Sequence, residues 1–287
     1  MNYISYINCS LMITLCMFNG CDKKPLSSGP FTEQELRESF DKPNDLTAER
    51  KSYLLNEINR YKDAAPIEKN YSQVWSTGDF RKNDEFYGIL FEAIRSQDKE
   101  ILNALETSKV SLNDKRARLV FYNILDYGDM DSANFLIKRG ILEDKKTADI
   151  AIFNAACAYK NRTELINLVA RTGNADVNVC DKEMGLLLNW VAFKGYADSV
   201  QTLITLGADV NKKDDYFEET PLHVAAKYGN WEVAQVLLSN GTDYTIKNKV
   251  GRTPLDIAMG STDMDHESIT GKWKVQNLIR QYMKKDD

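Results

Sequence analysis

The side chains most often used in catalysis are scarce in this sequence. Its 287 residues include two histidines, His223 and His266. The patterns GxSxG, GxGxxG, HExxH and the Walker loop do not occur in it. Residues 263–267 gather three carboxylates and His266, but without the spacing of a calcium loop. We therefore predict no catalytic residue, no metal site and no cofactor; a hydrolase or transferase built from distant residues is the alternative.

Composition favours an ordinary globular chain. Hydrophobic residues make up 43% and charged residues 28%, the formal net charge is −5, and the two signs are well mixed. A nucleic-acid surface would need a clustered basic excess. Three cysteines, Cys9, Cys16 and Cys21, lie in the first 21 residues, and only Cys157 and Cys180 follow. That distribution is no disulfide framework, and CxxC spacing is absent.

The N-terminus differs from the rest of the chain. Residues 1–21 carry no charge, and their apolar centre at 11–18 is too short to span a bilayer. A small residue directly before Cys21 resembles the end of a bacterial lipoprotein signal. The resemblance implies acylation of Cys21, a tether at 22–30, and a periplasmic protein held at the inner membrane. A poor signal anchor, or a cytosolic start with a chance apolar stretch, is the alternative.

A period of 33 to 34 residues runs through the body of the chain. Gly195 and Gly229 are 34 residues apart, and so are Gly207 and Gly241. Further copies lie at 90–109, 121–140, 151–178 and 251–258. Six copies at this period indicate stacked supersecondary units, because no single unit can bury its own apolar face.

The copy at residues 219–244 carries the most specific motif. Its Thr-Pro-Leu-His-Val-Ala segment, residues 220–225, resembles the ankyrin signature. Thr220 can cap a helix and Pro221 fits its first turn. Gly229 suits the left-handed end of that helix. The resemblance implies that His223 bonds neighbouring backbone.

The resemblance also predicts the architecture. It implies an all-α ankyrin-repeat solenoid of about six helix–turn–helix repeats with finger loops over residues 86–283, followed by a tail at 284–287. Leu54 and Ile58 recur at helical spacing, so residues 31–85 are predicted as a short helical N-terminal cap; a small independent module is the alternative. Residues 260–271 are predicted to be a solvated loop inside the last repeat.

The resemblance points to one face of the repeats for binding. In this family the two positions after the alanine pair of each first helix face the concave side. Carried over, the predicted protein-binding residues there are Tyr127, Tyr159, Lys160, Phe193, Lys194, Lys227 and Tyr228. Tyr216 and Phe217, on a lengthened finger, are added because aromatic side chains dominate interface hot spots. The alternative is that they fold back onto an adjacent finger. Trp190 is expected to be a core residue.

These patterns together predict a non-catalytic protein-binding module. The leader and the repeats resemble periplasmic immunity proteins that bind a cognate antibacterial phospholipase delivered by type VI secretion. A toxin partner and a membrane attachment at Cys21 follow from that resemblance; neither nucleic acid nor a small-molecule substrate is expected. The alternatives are a periplasmic scaffold for an endogenous partner and an adaptor injected into a host cell.

Overall fold

The structure is a computed structural model, and it is helical apart from one short pair of strands in the residues it describes. Those residues are 46–61, 85–108, 115–158, 162–181, 185–260 and 266–286. They divide into two compact units. The first unit runs up to Asn123 and includes 134–139, and the second comprises 124–133 and the chain from Gly140 onward.

The first unit is built on three helices that pack on one another. They are α1 (Ala48–Tyr61), α2 (Glu85–Arg95) and α3 (Lys99–Thr107). Their facing sides are fully buried and apolar, as at Leu54, Leu90 and Ile101. Asp98 caps α3 by accepting hydrogen bonds from two backbone N–H groups of its first turn, and it also accepts one from Lys51 of α1 at 2.9 Å.

Two helices contribute residues to both units. They are α4 (Lys115–Tyr127) and α5 (Met130–Lys138). Gly128, in the left-handed conformation, separates them.

The second unit continues as four helix pairs. These helices are α6 (Lys145–Cys157), α7 (Arg162–Thr172), α8 (Leu187–Lys194), α9 (Ala197–Thr205), α10 (Pro221–Tyr228), α11 (Trp231–Ser239), α12 (Pro254–Met259) and α13 (His266–Asp286). The first helices form one row, in which α6 contacts α8, α8 contacts α10, and α10 contacts α12. The second helices form another row, from α7 through α9 and α11 to α13. Each pair thus covers the apolar side of its neighbour.

The fingers between pairs are linked by a repeated hydrogen bond. The Asn178 side chain accepts from the backbone N–H of Asp209 at 2.8 Å, and the Asn211 side chain accepts from that of Asp243 at 2.9 Å. One finger also carries a two-residue antiparallel pair, β1 (Cys180–Asp181) with β2 (Gly185–Leu186). The two asparagine hydrogen bonds join each finger to the next.

The predicted fold class is confirmed, since the described residues are almost entirely helical and each of the six predicted repeats contains a pair of helices. Gly229 follows α10 with φ of 73°, as its predicted helix-ending position requires. The predicted loop at residues 260–271 is wrong in its second half, because α13 already begins at His266. Gly271 lies inside that helix, where its missing side chain lets the helix approach the backbone of Gly229.

Several predictions fall outside the described residues. They are the leader at 1–21, the tether at 22–30, most of the N-terminal cap, and the side chains of Tyr159 and Lys160. Among the described helices, none combines the length and apolar character needed to cross a bilayer.

Candidate functional site

Aromatic and lysine side chains converge at the C-terminal ends of two neighbouring first helices. Trp190 and Phe193 of α8 have ring centroids 5.8 Å apart. Phe193 meets Tyr228 of α10 edge-to-face, with centroids 4.7 Å apart. Phe193 and Tyr228 are both exposed. Edge-to-face packing holds each ring in one orientation, so this part of the surface is preformed. With Lys194, Lys227, Tyr216 and Phe217 these residues form what we call the aromatic–lysine face.

Two lysines lie among these rings. The Lys194 ammonium is 5.1 Å from the centroid of Trp190 and 5.7 Å from that of Phe193. Lys227 lies 5.5 Å from the ring of Phe217 and pairs with Glu219 at 3.5 Å. Within the described part of the chain, Lys194 makes no ion pair. The face therefore offers a cation held against aromatic rings and open to a partner's carboxylate.

The finger that carries Tyr216 and Phe217 is organised by one buried carboxylate. Asp214 accepts hydrogen bonds from the backbone N–H groups of Tyr216, Phe217 and Glu219 at 2.9, 2.7 and 3.0 Å. It also accepts one from the Asn189 side chain of α8 at 3.2 Å. The loop is thus tied to the helix that carries the other aromatic residues. Nothing in the sequence analysis singled out Asp214, although an Asp two residues before a loop tip is typical of an Asx turn.

The backbone and the side chains of this finger have different surroundings. The carbonyl of Phe217 accepts a hydrogen bond from the backbone N–H of Lys249 in the next finger at 3.0 Å. The side chains of Tyr216 and Phe217 are nevertheless 55% and 63% exposed. The main chain therefore packs on the adjacent finger while both aromatic side chains face solvent. Glu218, which follows them, has φ of 52°, a left-handed conformation that favours glycine.

A side-chain amide fixes the end of α8. Asn230, just before α11, donates to the carbonyls of Ala192 and Phe193 at 2.7 and 3.1 Å. These carbonyls belong to the last turn of α8, where intrahelical partners run out. Asn230 thereby holds the backbone that carries Phe193 and Lys194 against the next repeat.

The positions predicted for binding divide into three groups. Phe193, Tyr216, Phe217 and Tyr228 are exposed, while Lys194 and Lys227 are half-buried; all six lie in the aromatic–lysine face. Tyr127 is half-buried with its hydroxyl oxygen shielded from solvent, so it does not present the exposed ring that the pattern predicted. Tyr159, Lys160 and Cys21 lie outside the described residues, so their roles stay predictions.

Trp190 belongs to the aromatic–lysine face, although its position in the repeat predicts a core residue. It is half-buried and lies beside Phe193 and Lys194. Its position three residues before Phe193 on one helix was the available signal.

The titratable groups of this region have structural roles. His223 Nδ1 accepts from the backbone N–H of Thr220 at 3.2 Å, and its Nε2 donates to the carbonyl of Arg252 at 3.0 Å. Burial lowers the pKa of His223, which favours the neutral ring that this bonding needs. Burial also raises the pKa of the Cys157 thiol to about 12, which leaves little thiolate at neutral pH. In the described residues, no group of His, Cys, Asp and Glu is arranged to hold a metal ion.

Comparison with known families identifies the repeats. The family model described as "Ankyrin repeats (3 copies)" matches residues 187–268, which run from α8 into the first residues of α13. That range includes every residue of the aromatic–lysine face. Such repeats are generally non-catalytic modules for protein interaction.

Three known proteins are similar over part of this chain. "E3 ubiquitin-protein ligase hecd-1" of Caenorhabditis elegans is 33% identical over 40% of this chain and 4% of its own length. "Protein phosphatase 1 regulatory subunit 12A" of Mus musculus is 44% identical over 27% of this chain and 7% of its own length. "Ankyrin repeat and SOCS box protein 11" of Danio rerio is 35% identical over 43% of this chain and 41% of its own length. This chain therefore spans less than half the length of each of these relatives. The matched family and the two rows of packed helices together show that this chain contains ankyrin repeats.

Proposed function

We propose that this chain acts by binding another protein through the aromatic–lysine face. The observation that carries the proposal is the set of exposed rings at Phe193, Phe217 and Tyr228, each held by a defined contact. A cluster of exposed aromatic side chains is typical of an interaction surface, and such side chains dominate interface hot spots. Because the Asp214 hydrogen bonds hold the finger in place, little conformational entropy is lost when a partner binds.

The face also specifies the chemistry of the partner. The Lys194 ammonium lies near the rings of both Trp190 and Phe193, so a partner carboxylate would meet a cation already placed beside aromatic rings. An apolar or aromatic side chain next to that carboxylate would cover Phe193 and Tyr228. The partner surface is therefore an acidic residue beside an apolar one.

We further propose that the partner is a secreted phospholipase and that the chain is its periplasmic immunity protein. This step rests on the lipoprotein-like pattern of residues 1–21 and on the repeat architecture; the animal relatives bear on the repeats alone. Binding would cover the surface by which the lipase reaches lipid. A lipid at Cys21 would place the inhibitor at the membrane that the toxin attacks.

The experiment begins with capture of the partner from the native cells. The tagged full chain is used as bait, and the captured protein is identified by mass spectrometry, purified and titrated by calorimetry. The double variant Tyr216→Ser/Phe217→Ser is expected to weaken binding at least about tenfold, the loss of one moderate hot spot. Trp273→Ser, an exposed aromatic residue of α13, is the matched control and is expected to bind as the wild type does.

Each outcome decides one step of the proposal. Equal affinities for the wild type and the double variant would place the binding surface elsewhere. A captured endogenous periplasmic protein in place of a lipase would support a scaffold and refute immunity. If a chain without residues 1–21 protected cells fully against lipase in the periplasm, the role of the leader would be refuted.

A further inference from the structure

The outer side of α13 carries a second exposed surface, distinct from the aromatic–lysine face. Trp273 is 62% exposed and Met283 is 40% exposed on this helix. Arg280 lies between them in sequence, and its guanidinium is 3.8 Å from the sulfur of Met259 at the end of α12, which is 58% exposed. Together with Lys284, these residues form what we call the α13 face.

Helical geometry places Trp273, Arg280 and Lys284 on one side of α13. Trp273, Arg280 and Lys284 are separated by seven and four residues, which brings their Cα atoms within about 40° of one another around the helix axis. Val275 and Ile279 point the opposite way and are fully buried against the repeats. The α13 face is therefore the side of the helix that the repeats do not use.

The charge of this segment is the reverse of the charge of the chain. Helix α13 contains five lysines and arginines against Glu267 and Asp286, whereas the chain as a whole carries −5. Among the described residues, none of Lys274, Arg280, Lys284 and Lys285 forms an ion pair with a carboxylate. The last-turn lysines complement the helix dipole, but the dipole does not account for Arg280 or for an exposed tryptophan.

A second copy of the chain does not fit this surface. A symmetric dimer would bring Arg280 and Lys284 of one copy close to the same cations of the other, and like charges at an interface are destabilising. A partner with negative charge is needed, and it must also accept Trp273, Met259 and Met283. A bilayer of anionic phospholipid offers both, because tryptophan favours the headgroup region and surface lysines are attracted to anionic lipid.

We propose that the α13 face docks on the surface of an anionic phospholipid bilayer. Trp273, Met259 and Met283 enter the headgroup region, and Arg280 and Lys284 neutralise lipid phosphates. The helix lies on the membrane and does not cross it. This contact involves none of the residues of the aromatic–lysine face, so it stands whether or not the proposed function is correct.

The test uses the purified full chain and two kinds of vesicles. One kind is phosphatidylcholine alone, and the other is phosphatidylcholine with one quarter phosphatidylglycerol; flotation measures the bound fraction. We expect tighter binding to the anionic vesicles in spite of the net negative charge of the chain. The double variant Arg280→Gln/Lys284→Gln is expected to weaken that binding about 25-fold, since each surface cation contributes about a factor of five. The double variant Lys138→Gln/Lys146→Gln removes the same charge from other exposed positions and is expected to change it less than about twofold.

A spectroscopic measurement locates the contact. Anionic vesicles should shift the tryptophan emission of the wild type to shorter wavelength, and Trp273→Phe should abolish most of that shift while circular dichroism stays unchanged. Equal binding to both kinds of vesicles, equal losses in the two charge variants, or an emission shift that survives in Trp273→Phe would each overturn the proposal. Binding to a random-sequence oligonucleotide without binding to vesicles would overturn it in favour of a nucleic-acid surface.

Discussion

Replacing Asp214 by alanine tests how the finger is held. This buried carboxylate accepts four hydrogen bonds, two of them from donors that are themselves buried, the Glu219 backbone N–H and the Asn189 side chain. A bond to a charged acceptor contributes about 1.5 kcal/mol or more, and the N–H groups of Tyr216 and Phe217 can be rehydrated near the loop tip. We therefore count only the two buried bonds and expect Asp214→Ala to lower the free energy of unfolding by about 3 kcal/mol.

The assay combines a global and a local measurement. Urea titration followed by circular dichroism gives the stability, and hydrogen exchange reports on the backbone N–H groups of Tyr216, Phe217 and Glu219. All three should lose protection in Asp214→Ala, while exchange in α6 stays unchanged. The matched control is Asp215→Ala, because Asp215 is exposed and its carboxylate accepts only a weak hydrogen bond from the Cys180 thiol at 3.7 Å among the described residues.

Two results would refute this account of the finger. If Asp214→Ala were destabilised by no more than Asp215→Ala, the carboxylate would contribute nothing to the loop. If protection at Tyr216 and Phe217 survived the substitution, other contacts would be holding the aromatic tip. In either case the aromatic–lysine face would lose the preformed geometry on which the binding proposal depends.

Three further substitutions test the packing and titration of the same repeats. Gly271→Ala should lower the free energy of unfolding by about 2 kcal/mol, because a methyl group there would overlap the carbonyl of Gly229. If Gly271 were exposed instead, alanine would raise the free energy of unfolding in the same urea titration, and that result would contradict the prediction. Glu218→Gly should raise the free energy of unfolding by about 1 kcal/mol, because glycine adopts the left-handed φ of 52° without strain. A loss of stability would show that Glu218 is not strained. Burial lowers the pKa of His223, so below about pH 6.5 the unfolded chain binds a proton that the folded chain does not. Stability should therefore fall as the pH drops through that value, and His223→Gln should remove this part of the pH dependence in urea titrations at several pH values.

The regular part of the fold was predictable because its determinants are local and repeated. Gly195 and Gly229 end α8 and α10 with φ of 76° and 73°, conformations that few other residues adopt without strain. Thr220 and His223 bond each other within one turn, so the motif alone indicates the start of α10. A helix start or end of this kind depends on residues within a few positions of it, which is why the sequence is sufficient there.

The features that the sequence did not indicate depend on how side chains pack once the helices have formed. The sequence around Gly271 indicates a loop, and only the close approach to Gly229, more than 40 residues earlier, explains a helical glycine at that position. Trp190 stands where a core leucine is usual, but it is half-buried, and its ring contacts the Phe193 ring and the Lys194 ammonium on the same helix. The hydrogen bonds from Asn230 to the end of α8 join positions separated by a whole repeat, a pairing that periodicity does not indicate.

The two proposed surfaces share no residue, and this separation gives the strongest joint test. The aromatic–lysine face is built from the first helices and one finger, whereas the α13 face is built on the last second helix together with Met259. Phe217→Ser should therefore reduce partner affinity and leave vesicle binding intact, and Trp273→Ser should do the reverse. If the chain holds its partner at an anionic membrane, both variants should lose partner recruitment to vesicles, each through a different step. Recruitment that survived in Trp273→Ser would refute the lipid contact of the α13 face, and recruitment that survived in Phe217→Ser would place partner binding elsewhere.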